Sequence, residues 1–523
     1  MLTRCAGVLV PLFSLHSKDD LGRGEIGGLA AMGELALAMG HRMVQLLPID
    51  ETAPGENSPY SAMSVFAIDP MYVSVGELAG IEAAAITKAR AALGLDRNAF
   101  TNRTVAHERV YAIKTGLLDA AFRAFQRNQP ADEREAFDGF IEASHYWLDE
   151  YALFRALKEH FGWSEWVRWP AGLRDREGSA LAAARRDLSN EIVKYQYWQF
   201  IAQRQWLEVR SRLKSRGVIL GGDLAFSPGQ DSAEVWANQH MFDLTRAVGA
   251  PPDAFSQHGQ RWGLPMPDWK QMRADGFALI RARTRRAREL YDLMRVDHVV
   301  GLYRTYSFGN DAGDGRFYPA EEDAQRAQGE AVIDGVKQVA APMALIAEDL
   351  GLVPPFVRKS LAAMGVPGYK VMRWEKRNWR KPTERFISPA EYPEVSLATT
   401  GTHDTETLTQ WWREAPVKER RQLMKALRIR GGSDDHDGVP PSLSHALREA
   451  ILEALYASPS RLVIVPLQDL LGWTARINTP GTVNVANWMW RVPCPLERMT
   501  SSASVRARLA RIHAITEHTG RYP

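Results

Sequence analysis

The feature that most constrains the fold is a set of short apolar runs, each about as long as a buried strand and each carrying an acidic residue at its end. The four runs are Val218–Asp223, Leu293–His298, Ala344–Asp349 and Ala398–Asp404, and long segments of helical character separate them. Strands that are covered on both faces read as continuous apolar runs in parallel sheets. Because the carboxyl ends of parallel barrel strands meet in one place, the pattern predicts four carboxylates around a single pocket.

Eight strand candidates are distributed along the whole chain. They lie near Gly7–Leu12, Arg42–Leu47, Gly217–Leu224, Met294–Val300, Met343–Glu348, Tyr369–Trp374, Val395–Thr400 and Arg461–Leu467. Eight parallel strands alternating with helices form a (β/α)₈ barrel, the TIM barrel of the α/β class. We therefore predict that residues 1–523 form one barrel domain. About 55 residues follow the last strand, too few for a separate C-terminal β-domain of ordinary size.

The spacing of the candidates is uneven and predicts two insertions. Residues 72–215, between the second and third strands, exceed what one crossover helix needs and contain the helical stretches Glu133–His160 and Leu188–Arg216. Residues 225–275, between the third and fourth strands, are rich in Pro, Gly and Gln and precede a long predicted helix, Phe277–Met294. Both insertions are expected on the strand-end side, where they can wall a cleft.

Composition excludes several classes of function. The net charge of +3 over 523 residues gives no indication of nucleic-acid or membrane binding. Two cysteines, Cys5 and Cys494, do not make a disulfide framework, and a cytoplasmic location is expected. The apolar stretch that follows Arg4 reads as the first barrel strand rather than a signal peptide. No apolar run reaches the length of a membrane span.

Arg295 and Asp297 form the first chemically informative pair. Side chains two positions apart on a strand share a face, so both are predicted to point into the barrel mouth. A guanidinium group beside a carboxylate favours its charged form, which a nucleophilic carboxylate requires. A purely structural ion pair at a strand end is the alternative.

Glu348 and Asp349 end the next strand. A partly desolvated carboxyl group near another carboxylate has a raised pKa and can serve as a general acid. Neighbouring residues of a strand face opposite sides, and from the sequence alone either one can be the acid. Two carboxyl groups acting as a pair are the working parts of glycoside chemistry.

The fourth run ends at His403 and Asp404. An imidazole can hydrogen-bond a sugar hydroxyl, and the adjacent carboxylate can stabilise positive charge on a sugar ring. A helix N-cap at Thr402 or Asp404 is compatible with this interpretation. For Asp223, which follows two glycines, a strand-end cap and an orienting residue in a site are about equally favoured.

Motifs of other chemistries are missing from the sequence. It has no Gly-rich phosphate loop, no Gly-x-Ser-x-Gly elbow, no Cys-x-x-Cys and no His-Glu-x-x-His pattern. The acidic and histidine residues of Gly431–Gly438 are more typical of a solvated turn than of a metal site.

The ordered set of motifs resembles the amylomaltases, the 4-α-glucanotransferases of glycoside hydrolase family seventy-seven, over nearly the whole chain. The resemblance rests on Ser58–Ser61, Ser64–Ala67, Gly222–Leu224, Asp231–Trp236, Gly249–Asp253, Gly259–Gly263, Arg295–His298, Ala347–Gly351, Gly401–Asp404, Gln468–Gly472, Ala475–Thr482 and Asn487–Arg491.

The resemblance implies a retaining transferase that moves α-1,4-glucan segments between maltooligosaccharides through a covalent glucosyl-Asp intermediate, with no metal or organic cofactor. Asp297 would be the nucleophile, Glu348 the acid and base, and Asp404 the residue that stabilises the transition state. The substrate-binding residues that it implies are Arg295, His403, Asp223, Tyr60, Asp253, Gln260, Trp262 and Asn478.

The chain departs from the family pattern beside the implied catalytic groups. Val299–Gly301 stands where the family usually has Phe-Arg-Gly, Thr405 where it has Asn, and Leu264–Pro267 where it has Asn-Pro-x-Tyr. These positions flank the catalytic residues without replacing them. Two alternatives are a retaining α-glucan hydrolase or a transferase with another acceptor, and a catalytically silent α-glucan-binding protein.

Overall fold

The computed structural model of the chain describes residues 3–95, 103–128, 130–252, 259–309, 314–378, 385–430, 438–482 and 484–522. Two sequence predictions fall on residues outside these ranges. They are the binding role of Asp253 and the solvated turn at Gly431–Gly438, of which only Gly438 is described.

Eight of the described strands close into a parallel barrel, which confirms the predicted fold class. In chain order the strands are β1 (Cys5–Leu9), β2 (Met43–Gln45), β3 (Ile219–Leu224), β4 (Phe242–Ala250), β5 (Gln260–Pro267), β6 (Leu293–Val296), β7 (Thr305–Phe308), β8 (Arg316–Tyr318), β9 (Ala344–Ala347), β10 (Gly368–Val371), β11 (Ser396–Thr399) and β12 (Leu462–Pro466). The barrel order is β1-β12-β11-β10-β9-β6-β3-β2. Each of the eight predicted strands overlaps one barrel strand.

Helices connect the barrel strands and fill the long segment between β2 and β3. In chain order they are α1 (Gly28–Ala38), α2 (Ala83–Leu93), α3 (His107–Asn128), α4 (Ala131–His160), α5 (Ala171–Arg174), α6 (Gly178–Asp187), α7 (Ser189–Ser215), α8 (Ala233–Ala237), α9 (Trp269–Ala274), α10 (Ala278–Leu290), α11 (Val300–Tyr303), α12 (Glu322–Ala340), α13 (Pro355–Ala363), α14 (Leu408–Glu414), α15 (Val417–Ala426), α16 (His445–Tyr456), α17 (Leu467–Leu471), α18 (Leu496–Met499) and α19 (Ala503–His518).

The register of the barrel brings the acidic strand ends together. Asp223 of β3 pairs with Arg295 of β6, and Val296 pairs with Ala347 of β9. The next residues, Asp297 and Glu348, therefore leave the barrel side by side. Their backbone amides still donate to the neighbouring strands, Asp297 to Leu224 at 3.0 Å and Glu348 to Val296 at 2.9 Å. This hydrogen bonding holds both carboxyl groups at the same edge of the barrel.

The fourth predicted strand is too long at its carboxyl end. It was expected to reach Val300, but β6 ends at Val296 and α11 begins at Val300. The cause is His298, whose φ of 44° lies in the left-handed region that non-glycine residues rarely adopt. A residue in that conformation cannot continue a strand, so the chain turns immediately after Asp297.

A four-stranded antiparallel sheet, in the order β5-β4-β7-β8, lies outside the barrel and was not predicted. Its strands come partly from the predicted insertion at 225–275 and partly from residues beyond it. Strand β5 contains Pro265 and Pro267, which favour a loop assignment because proline cannot donate to a strand ladder. Here β5 is an edge strand, the position at which proline is tolerated.

The apolar core has two parts. The larger cluster fills the barrel and packs its outer helices, with side chains such as Val44, Leu220 and Val463 fully buried. The second cluster lies between the carboxyl ends of β6 and β9 and the antiparallel sheet, and it includes Phe226 and Trp269. Because that second cluster packs directly beside Asp297 and Glu348, it sets the position of the antiparallel sheet relative to these residues.

The helices between β2 and β3 are bound to the loops that follow β1 and β2 through buried polar contacts. Lys114 of α3 donates to Glu25 at 2.7 Å, and Arg155 of α4 donates to Glu51 at 2.9 Å. Helix α4 also reaches the loop after β3, where Lys158 pairs with Asp231. None of the described helices is both long and apolar enough to cross a membrane.

Candidate active site

Arg295 lies between two carboxylates at the barrel mouth. Its Nη1 donates to both oxygens of Asp223, at 2.7 and 2.8 Å, and is 2.7 Å from Oδ1 of Asp297. Asp223 is fully buried, whereas about a fifth (22%) of the Asp297 side chain is exposed. Burial lowers the pKa of Arg295, but the two carboxylates outweigh it and hold the pKa well above its usual range. Asp297 is therefore the member of this group that a ligand in the cleft can reach.

Glu348 occupies a different electrostatic environment. Its Oε2 accepts from the backbone amide of His298 at 2.9 Å, and its Oε1 accepts from that of Leu350 at 3.0 Å. Burial raises the pKa of Glu348 to about 7; Arg295 opposes the shift, and Asp297 adds to it. The side chain is consequently able to hold a proton near neutral pH, as a general acid must.

The structure distinguishes Glu348 from its neighbour Asp349, which the sequence could not do. Asp349 accepts from the backbone amide of Tyr369 at 2.6 Å and from Nε of Arg358 at 3.0 Å. A Cβ atom at Gly368 would lie 2.8 Å from the Asp349 carboxylate, so the barrel wall encloses it closely. Asp349 is thus bound within the wall between β9 and β10, and Glu348 is the carboxyl group beside Asp297.

Asp404 is held by neighbours on two sides. Its Oδ2 is 3.3 Å from Nε2 of His403, and its Oδ1 accepts from Nδ2 of Asn478 at 2.7 Å. Burial alone would raise the pKa of Asp404, but His403 and Asn478 bring it down to about 2. Asp404 is therefore ionised throughout the neutral range, in contrast to Glu348.

Aromatic rings surround the His403 imidazole. The Tyr60 ring stacks on it with centroids 5.2 Å apart, and the Tyr60 hydroxyl donates to Asp223 at 2.8 Å. The Trp488 ring lies 5.9 Å from both Tyr60 and His403. Trp488 was not among the predicted site residues. It belongs to a C-terminal loop, and the sequence signal that could have indicated it was the motif Asn487–Arg491, one of those that carry the family resemblance.

Trp262 and Gln260 come from β5 at the edge of the antiparallel sheet. The Trp262 ring stands edge-on to the His298 ring with centroids 4.7 Å apart, and its Nε1 donates to Gln260 at 3.3 Å. Because His298 follows Asp297 directly, this contact brings the sheet to the same mouth. The structure therefore brings together all the predicted site residues that it describes.

Arg373 is a further residue that the sequence analysis missed. It is buried at the end of β10, and its Nε donates to Thr400 O at 2.9 Å. Its Nη1 donates to the backbone and side-chain oxygens of Glu406, at 2.7 and 3.0 Å. The loop that carries His403 and Asp404 is thus fixed at both ends by one guanidinium group. The only sequence feature that could have indicated Arg373 was its position as a single basic residue at the end of a predicted strand.

Val299, Val300 and Thr405, which depart from the family pattern, have structural roles here. Val299 and Val300 are buried in the second apolar cluster. The Thr405 hydroxyl accepts from Thr402 N and donates to Thr402 O, both at 3.0 Å, which closes the turn that contains His403 and Asp404. None of these side chains takes the place of a carboxyl group in the site. Among the described residues, no group of three or more His, Cys, Asp or Glu side chains is arranged to hold a metal ion.

A protein-family model described as 4-alpha-glucanotransferase matches residues 10–497. The 4-alpha-glucanotransferase of Chlamydia pneumoniae is 31% identical over 503 residues, which cover 94% of this chain and 92% of that protein. The 4-alpha-glucanotransferase of Thermus thermophilus is 33% identical over 467 residues, which cover 87% of this chain and 88% of that protein.

Solved structures resemble the chain over its full length. The amylomaltase from Streptococcus agalactiae, in complex with acarbose, gives a TM-score of 0.83 at 26% identity and covers 99% of both chains. The amylomaltase from Corynebacterium glutamicum gives a TM-score of 0.82 at 20% identity, with 98% of this chain and 75% of that chain covered, a likeness in fold alone.

Proposed function

Because the chain belongs to the 4-α-glucanotransferase family, glycoside hydrolase family 77, we propose that it transfers α-1,4-glucan segments between maltooligosaccharides with retention of configuration. The donor is an α-1,4-glucan, and the acceptor is glucose or another maltooligosaccharide. Asp297, Glu348 and Asp404 carry the chemistry, and Arg295, Asp223, His403, Tyr60, Gln260, Trp262 and Asn478 bind the sugar. Asp253 has the same proposed role from the family motif alone.

One observation carries this proposal: three carboxyl groups meet at the barrel mouth in three different electrostatic environments. Asp297 lies beside Arg295, Glu348 has a pKa of about 7, and Asp404 has a pKa of about 2. Environments that separate the protonation states of neighbouring carboxyl groups assign them different roles in acid–base and nucleophilic catalysis. A nucleophile, an acid and an anion that faces developing positive charge are what a retaining glycosyl transfer needs.

In the first step, an oxygen of Asp297 attacks the anomeric carbon of the donor and forms an ester bond to it. The glycosidic bond breaks, and Glu348 gives its proton to the departing oxygen, which leaves as the 4-hydroxyl of the released sugar. Arg295 keeps Asp223 and Asp297 in position, and the Asp404 carboxylate stabilises the positive charge that develops on the ring.

In the second step, the 4-hydroxyl of the acceptor attacks the same anomeric carbon. Its proton passes to Glu348, now ionised, and the ester bond to Asp297 breaks, which restores both carboxyl groups. Retaining enzymes hold these two carboxyl groups roughly 5–5.5 Å apart. The two inversions together leave an α-1,4 bond in the product.

Transfer exceeds hydrolysis when an acceptor sugar, and not water, reaches the intermediate. The aromatic rings of Tyr60, Trp262 and Trp488 offer flat faces on which sugar rings can stack. The segment at 225–275 supplies Trp262, and we propose that it and the helical segment at 72–215 act as subdomains that wall the cleft. Exclusion of water from the site protects the intermediate from hydrolysis.

The rate of the first step should fall as the pH rises through about 7, the pKa of Glu348. The acid must be protonated to act. We therefore expect kcat/KM to remain constant at pH values below this pKa and to fall about tenfold per pH unit above it. Initial rates of maltotriose consumption from about pH 5 to about pH 9 measure this decrease on the basic side of the pH profile. A glycosyl fluoride donor, whose fluoride leaves without a proton, is the control. The rate with this donor should not decrease on the basic side of the pH profile. A maltotriose profile that stays flat to the highest pH would contradict the assignment.

The transferase activity is tested by incubating the pure protein with maltotriose and separating the products by thin-layer chromatography. A ladder of longer and shorter maltooligosaccharides with some glucose is the expected result. Glucose and maltose without longer products would instead indicate a hydrolase built on the same carboxylates. An unchanged substrate, with binding retained, would indicate a glucan-binding protein.

A further inference from the structure

Arg476 takes no part in the two transfer steps, yet it lies directly against the loop that carries Asp404. Its Nη2 donates to the backbone carbonyl of Asp404 at 2.8 Å, and its Nε donates to the backbone carbonyl of Asn478 at 3.2 Å. Asn478 in turn donates from Nδ2 to Oδ1 of Asp404 at 2.7 Å, and from its backbone amide to the His403 carbonyl at 3.3 Å. One guanidinium group therefore binds both the backbone of Asp404 and the residue that holds the Asp404 carboxylate.

The position of Asp404 in the fold explains why this support is needed. Asp297 and Glu348 each follow the last residue of a barrel strand directly, and strand hydrogen bonds fix their backbones. Strand β11 ends at Thr399, whereas Asp404 is the fifth residue after it and lies in a turn. About two fifths (39%) of the Asp404 side chain is exposed. Side chains from other loops, and not the barrel strands, must therefore hold this carboxylate.

Glu406 links Arg476 to the end of a barrel strand. Its Oε2 is 3.9 Å from Nη1 of Arg476, and its Oε1 accepts from Nη1 of Arg373 at 3.0 Å. Arg373 is itself buried and donates to Thr400 O at 2.9 Å. A guanidinium group presents its donors in a fixed planar fork, so one that is bound through several nitrogens is held in a single orientation. The Asp404 loop is therefore bound by two arginine side chains that share one glutamate.

We propose that Arg476 is a positioning residue for the transfer reaction, whose guanidinium group holds the Asp404 carboxylate in place against the positively charged sugar ring. The inference rests on the proposed function, since it requires Asp404 to stabilise the charge that develops on the ring. A fixed charge contributes most when it is in place before the transition state forms, because no reorganisation is then needed. The effect of Arg476 passes through the backbone carbonyls of Asp404 and Asn478, and it requires no contact between Arg476 and the substrate.

Arg476→Gln is expected to lower kcat with maltotriose by about 100-fold, the scale of a displacement of about 1 Å in an active site, while KM changes by less than about threefold. Arg476→Lys should recover little of this loss, because one ammonium group does not reproduce the fork that binds two carbonyls. With a maltosyl fluoride donor, release of fluoride in the first turnover should fall by the same factor, since Asp404 acts on the sugar ring and not on the leaving group. A rise in KM with kcat unchanged would assign Arg476 to sugar binding and overturn the proposal.

A double-mutant cycle with Asp404→Asn tests whether the effect of Arg476 passes through Asp404. Asp404→Asn alone should lose about 100-fold or more in kcat, the scale of removing one preorganised stabilising group. In that background Arg476→Gln should cost less than about threefold, because no charged group is left to position. If the two losses multiply instead, Arg476 acts independently of Asp404 and the positioning role is overturned. If Asp404→Asn keeps the wild-type rate, the proposed role of Asp404 in the transfer reaction fails, and the positioning role fails with it.

Arg288→Gln is the matched control. Nη1 of Arg288 donates to the backbone carbonyls of Val339 and Ala341, at 3.0 and 3.4 Å. This exposed residue lies in the last turn of α10, which leads into the amino end of β6, opposite the site. The control variant loses the same kind of hydrogen bonds and should keep full activity.

Glu406→Ala provides an independent route if Arg476→Gln lowers the thermal midpoint too far for kinetics. It removes the shared carboxylate without changing either arginine. We expect a smaller loss in kcat than for Arg476→Gln, and we expect that loss to disappear in the Asp404→Asn background. A loss that persists in that background would overturn the proposal.

Discussion

Replacement of Asp297 with asparagine is expected to reduce transfer between maltooligosaccharides by about 10⁴-fold or more, the scale seen when a catalytic nucleophile is removed. The amide has nearly the same shape as the carboxylate but cannot form the ester that carries the donor sugar. Arg295 keeps its two bonds to Asp223, so its position should be preserved. Because the Asp297 side chain is partly exposed, the fold should tolerate the change.

The measurement is the initial rate of glucose release from maltotriose, with the thermal midpoint recorded alongside. Asp175→Asn is the matched control, since Asp175 is an exposed carboxylate paired with Arg174. That control should retain full activity. A residual rate within tenfold of the wild type for Asp297→Asn, beyond what trace contamination explains, would remove Asp297 from the role of nucleophile.

Glu348→Gln is expected to lower kcat with maltotriose by about 10²–10⁴-fold, the usual contribution of a positioned general acid. Glutamine preserves the shape of the side chain but has no proton of suitable acidity to give. With a maltosyl fluoride donor the first step needs no such proton. Fluoride release in the first turnover should then stay within about tenfold of the wild type.

Asp349→Asn is the control for this experiment, because Asp349 is the adjacent carboxyl group on the same strand end. Its carboxylate is bound by Tyr369 N and Arg358, so the change should affect stability more than the choice of donor. The opposite pattern, in which Asp349→Asn shows the donor dependence and Glu348→Gln does not, would transfer the acid role to Asp349.

The barrel was predictable because buried parallel strands leave a strong trace in the sequence. Continuous apolar runs such as Leu462–Pro466 are fully buried, and few other local structures produce them. The positions of Asp223, Asp297 and Glu348 followed from the same runs, because carboxyl ends of parallel strands meet at one edge. The convergence of the acidic strand ends at one end of the barrel was therefore predictable from the sequence.

Features that depend on the backbone conformation beyond the strand ends could not be predicted from the sequence. The turn at His298 shortens β6, and no sequence rule predicts a left-handed histidine there. Whether Glu348 or Asp349 faces the site depends on the residue at which β9 ends. That residue lies within the uncertainty of any sequence-based strand boundary. The antiparallel sheet was hidden by Pro265 and Pro267, which favour a loop unless the strand is known to lie at an edge.

Contacts between residues that are distant in the sequence also could not be predicted from local sequence patterns. Tyr60 and Asn478 entered the predicted site only through the resemblance to a family, because nothing in their local sequence relates them to Asp223 or Asp404. Trp488 contacts Tyr60 and His403 from a loop near the end of the chain, and it was missed for the same reason. Contacts of this kind result from the packing of whole elements, which a periodic sequence pattern does not record.

The central claim is that Asp297 forms a covalent bond to the transferred sugar, and trapping of that species tests it most directly. Glu348→Gln protein is mixed with maltosyl fluoride, quenched in acid and digested for mass spectrometry. The first step proceeds without an acid, while the second is slow without a base, so the ester should accumulate. We predict a peptide containing Asp297 that is heavier by one maltosyl group, with the modification absent from Asp297→Asn. An adduct on another residue, or a product of inverted configuration without any adduct, would contradict the double displacement.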